Sequence, residues 1–83
     1  MRLSDRDKLI KITLEYAKVK NSIFTSEMIF DYILNRNIKF KKAMSTRRIG
    51  RTLSTEKDVF MKMDKVRNHQ YFKVNEDGVV DIG

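Results

Sequence analysis

Residues 58–74, DVFMKMDKVRNHQYFKV, admit two readings, and the choice between them decides the fold. Nothing in TEKDVFMKM (55–63) breaks a helix, so a helix beginning near Thr46 could run on to about Val66. The alternation argues for strands instead. Val59, Met61 and Met63 interleave with Phe60, Lys62 and Asp64, and β-branched and aromatic residues cluster here, which is the period-2 pattern of a strand. VRNHQ is polar and holds turn formers. Beyond it Phe72 and Val74 fall on one side, Tyr71 and Lys73 on the other. We read two antiparallel strands, about 59–64 and 71–75, joined around Lys65–Gln70. Asp77-Gly78 is a turn signal, and the Val/Ile run after it allows a third strand over 79–82.

Upstream of this hairpin the period is helical. Leu9, Ile12, Tyr16 and Val19 recur at helical spacing, widened by Ile10, Leu14 and Ala17. Ser4 suits the cap, and Asp5 and Asp7 suit the positive end of the helix dipole. This predicts a helix over about 5–19. A second helix, about 26–35, starts after Thr25, with Phe24 able to staple onto Ile29. Its apolar side is Ile29, Phe30, Ile33 and Leu34, and NRN (35–37) supplies a stop, because Asn tolerates the left-handed conformation. IKFKK (38–42) then alternates, with Ile38 and Phe40 inward and Lys39 and Lys41 outward.

A third helix, about 46–56, follows a Ser45 cap with Met44 as its staple. Ile49 and Leu53 are its whole apolar stripe. At about 100° of rotation per residue, Arg47, Arg51 and Ser54 lie roughly opposite them, flanked by Arg48 and Thr55. Gly50 removes bulk from this helix, either for packing on a neighbouring helix or for close approach to a ligand. Arg48 could also pair with Glu56 or Asp58 on the surface.

Charge is segregated along the chain. Of 83 residues, 18 are Lys or Arg and 11 are Asp or Glu, a net +7. Residues 1–35 carry six basic against five acidic groups (+1), residues 36–73 twelve against three (+9), and residues 74–83 only Glu76, Asp77 and Asp81 (−3). Solubility alone does not ask for such segregation, whereas a polyanion-binding surface does. Lys39, Lys41 and Lys42 precede the third helix; Lys65, Arg67, Asn68 and His69 occupy the presumed hairpin tip.

Helix, helix, helix, strand, turn, strand is an α+β order. With FTSEMIFDYI (24–33), STRRIGRTLST (45–55) and VFMKMDKVRNHQYFKV (59–74), the chain resembles a winged helix-turn-helix domain over about residues 5–75. The stretch between the second and third helices is longer than the tight turn of the simplest such motif. The resemblance implies that helix 46–56 enters the major groove of duplex DNA and that the hairpin, as the wing, meets the backbone. The residues matched to these roles are Lys41, Lys42, Ser45, Thr46, Arg47, Arg48, Arg51, Ser54 and Thr55, and at the wing Lys65, Arg67, Asn68 and His69. Arg can bond guanine bidentately or clamp a phosphate, and the hydroxyls are short donors.

The expectation is therefore a single domain over 1–83 that binds double-stranded DNA, sequence-specifically or semi-specifically, in transcriptional regulation. A homodimer and an acidic protein partner docked on the arginine face stay open as alternatives. No enzyme is expected. There is no cysteine, and His69 is the sole histidine, so neither a cysteine nucleophile nor a His/Cys metal cluster can form. A phosphate-binding glycine loop is missing, and no cofactor is implied. The acid pairs Asp5/Asp7 and Glu56/Asp58 sit at helix ends, where capping accounts for them. Met28, Met44, Met61 and Met63 read as core filler. No apolar run is long enough to span a bilayer and no leader pattern opens the sequence, so a cytoplasmic setting is expected, nucleoid-associated or inside a host cell if viral. The Lys, Ile and Asn bias without proline points to an AT-rich prokaryotic or viral genome.

Overall fold

The computed structural model describes residues 3–75. Three helices, α1 (Asp5–Val19), α2 (Ser26–Asn35) and α3 (Thr46–Thr55), alternate with and precede three strands, β1 (Ile23–Phe24), β2 (Phe60–Val66) and β3 (His69–Val74). The class is α+β, in the layout of a winged helix with a C-terminal hairpin. The third strand expected over 79–82 lies outside the described residues, as do Glu76, Asp77 and Asp81.

Capping sets the helix bounds. The Ser4 hydroxyl accepts from the Asp7 amide at 3.1 Å, Thr25 from Met28 at 3.3 Å, and Ser45 from Arg48 at 3.2 Å. Each satisfies one amide that the first helical turn leaves unpaired. At the end of α2, Asn37 adopts φ 53°, Ile38 N donates to Ile33 O at 3.1 Å, and Asn37 N donates to Leu34 O at 3.2 Å. Those two bonds form the paired C-terminal closure that a left-handed residue permits.

The strand reading of 58–74 holds, and the helix ends at Thr55. Both strands reach nearer the tip than the sequence suggested. The connection is only Arg67-Asn68, with φ 53° and 68°; two consecutive positive φ values match the twist of a two-residue hairpin. Lys65, Val66, His69 and Gln70, read as loop, are therefore paired strand residues, Lys65 with Gln70 and Val66 with His69. A bulge between Lys62 and Lys65 shifts the register, and the Gln70 side-chain amide donates to Met63 O there.

The sequence reading missed β1. Ile23 pairs with Lys73 and Phe24 with Phe72, so β3 is the central strand, in the order β1-β3-β2. Two residues are too few to show a period, which is why Phe24 read only as a staple. It is also the hinge of the core. Phe24, fully buried, meets Tyr16 of α1 edge-on at 6.0 Å and Phe60 of β2 at 6.1 Å. Tyr16 in turn meets Tyr32 of α2 at 5.2 Å. Leu9, Ile12, Ile29, Ile33, Ile49, Leu53 and Phe72 complete this one cluster.

Of the four methionines read as core filler, two depart from that expectation. Met28 and Met44 pack against the core, whereas Met63 is only half-buried and Met61 is 42% exposed. Phe60 and Phe72 claim the inward face, so alternation turns Met61 outward beside Lys73.

Candidate nucleic-acid interface

The segment leading into α3 is held by α1. The Asp5 carboxylate accepts from Lys41 N at 2.9 Å and Lys42 N at 3.0 Å, and the Lys8 ammonium donates to Lys39 O. Asp5 thus does more than complement its own helix dipole: it binds a strip of backbone 36 and 37 residues away. Those two amide bonds, then the nearby cations of Lys41 and Arg48, hold its pKa below the ordinary 3.8. A group so lowered stabilises the fold fully above its unfolded value, and the contribution is lost as pH falls through the folded value. Asp5→Ala should therefore lower Tm at pH 6, with the gap to wild type closing below about pH 3.8. Thermal melts of both proteins from pH 6 down to pH 3 check this; a gap that stays constant would show that the Asp5 carboxylate is not the clamp.

With its entry fixed, α3 turns on the buried pair Ile49 and Leu53. Arg47 and Arg51, on the opposite side, are exposed and make no hydrogen bond or ion pair with any described residue. Arg48 is different. Its guanidinium donates to Ala43 O at 3.3 Å, closing the loop before the helix. Neither surface pair considered for it is formed: Glu56 pairs with Arg6 of α1, and Asp58 makes no ion pair with any described residue. Lys41, Lys42 and Arg48 gather around Asp5.

The hydroxyls divide likewise. Ser45 is spent as cap acceptor, and Thr55 donates back to Thr52 O at 3.2 Å. Thr46 and Ser54 are half-buried on the flanks of α3. A Cβ on Gly50 would meet the Ser26 side chain at 3.7 Å and 3.8 Å. Gly50 therefore faces the first turn of α2, as the packing reading held, although the space would admit alanine in ordinary contact.

The same turn of α2 meets the hairpin. The Glu27 carboxylate lies 3.9 Å from His69 Nδ1. The N-terminus of α2 is thus the link between α3, through Gly50 and Ser26, and the start of β3, through Glu27 and His69. No local pattern in the sequence marks this junction, because it forms only when α2, α3 and β3 pack together. At the tip, Arg67 and Asn68 are exposed, as are Lys65 and His69. Left-handed backbone costs a non-glycine residue about 1 kcal/mol or more, so the turn itself gives no reason for an arginine at Arg67. No family model, curated protein or solved structure matches the chain. Among the described residues no His/Cys/Asp/Glu group could hold a metal ion, and no helix is long and apolar enough to cross a membrane.

Proposed function

We propose that this chain binds duplex DNA and serves as a transcriptional regulator, with α3 in the major groove and the 65–70 hairpin tip on the sugar-phosphate backbone. The observation that carries the proposal is the pair Arg47 and Arg51, exposed, without a partner among the described residues and opposite the buried Ile49 and Leu53. Two cations one helical turn apart cost self-repulsion and gain no ion pair among the described residues. A helix of this width fits the major groove, where arginine meets guanine or phosphate. The Arg67 cation, on a turn that does not require it, suits a phosphate contact. Lys41, Lys42 and Arg48 would meet the backbone at the N-terminal end of α3, and their contribution would be independent of sequence. An NMR titration of the isotope-labelled protein with a random-sequence duplex tests the reading, through the residues whose amides respond.

A further inference from the structure

A second basic surface is built from other elements. Along one flank of α1, the segment 38–41 encloses an open groove of ≈ 670 Å³ to which neither α3 nor the hairpin contributes. Its apolar floor is Leu3, Ile12, Ile38 and Phe40, with Leu3 47% exposed. Ile38–Phe40 also line a smaller groove with Phe30, Leu34 and Met44, Leu34 being 56% exposed. This shared segment is fixed in place. Ile38 N is bonded to Ile33 O, Lys8 to Lys39 O, and the two following amides to Asp5. A partner would meet a preformed surface with little ordering cost.

The rim decides the chemistry of that partner. Lys8 lies over the Phe40 ring at 5.2 Å from its centroid, and Lys11 and Lys39 border the groove with no side-chain partner among the described residues. Of the two acids here, Asp5 is spent on backbone amides, which leaves Glu15. An apolar floor with a cationic rim complements apolar side chains flanked by carboxylates. Nucleic acid offers no apolar side chains for the floor. We infer that this α1 groove docks an acidic amphipathic peptide segment of a partner protein, independently of the arginine face of α3.

The probe is a synthetic helical peptide carrying leucines at i, i+4 and i+7 among glutamates, with a leucine-free glutamate peptide and anionic phosphatidylserine vesicles as controls. Titrated into isotope-labelled protein, the peptide should shift the amides of Lys8, Lys11, Ile12 and Ile38–Phe40 saturably. Arg47 and Arg51 should not respond to it, although Lys41 borders both the groove and the entry to α3. The surface variant Leu3→Ser/Lys11→Glu should weaken the peptide at least tenfold while its own NMR spectrum stays folded. Shifts centred on Arg47 and Arg51, equal response to the leucine-free peptide, binding to vesicles alone, or no saturable response at millimolar peptide would each overturn the inference. Because the readout is peptide binding, it stands or falls separately from duplex binding.

Discussion

Replacing Arg47 and Arg51 together by alanine will weaken duplex binding about 30-fold or more, at about 1–3 kcal/mol for each arginine removed. The effect should be large because no described residue competes for either side chain: both are exposed and unpaired among the described residues. For the same reason stability should barely move, since surface changes away from packed features stay within about 0.5 kcal/mol. Salt dependence separates the two roles an arginine can take. Each arginine that neutralises a phosphate should, on removal, flatten the slope of log affinity against log salt by about 0.9. If instead an arginine reads a base, the slope holds and discrimination between duplexes falls. Fluorescence anisotropy on a labelled duplex at several salt concentrations measures both. A double variant that binds as the parent does would move the interface off α3.

The largest effect on stability is expected at Phe72→Ala, a loss of about 3–5 kcal/mol. Phe72 is 2% exposed on the central strand and pairs laterally with Phe24 on β1 and Lys62 on β2. Truncation strips packing from both the sheet and the helices, and a domain of 83 residues has little stability in reserve. At about 4–8 °C per kcal/mol for a domain this size, Tm should fall by more than about 12 °C. Met61→Ala, one strand away on the outer face, is the matched control and should change stability by less than about 0.5 kcal/mol. Chemical denaturation of the parent and the two variants decides the matter. Equal losses at Phe72 and Met61 would mean that the inward face of the sheet has been misassigned.

The helices were legible because each carries a cap and a periodic stripe: Ser4, Thr25 and Ser45 start them where their side chains bond the following amides. The hairpin was legible in its alternation, but its tip was not. VRNHQ holds several turn formers, and only the positive φ of Arg67 and Asn68 shows which two make the turn. β1 left no mark, because its two residues gain their strand character from β3, about fifty positions away. The site divides in the same manner. That Arg47 and Arg51 face outward follows from rotation about α3. That Arg48 closes the Ala43 carbonyl and Asp5 holds Lys41 and Lys42 does not, since those bonds depend on how α1 lies against the loop. The α2 junction at Ser26 and Glu27 is tertiary for the same reason. What local pattern determines was visible; what long-range packing determines was not.

Whether α3 and the hairpin tip together form the surface that meets duplex DNA is best decided by mapping amide shifts in the labelled protein as a random-sequence duplex is added at low salt. Saturable shifts should concentrate in residues 45–55 and 65–69, with the α1 flank around Lys11 and Glu15 silent. Shifts confined to that flank, or no response to duplex at low salt, would rule this surface out.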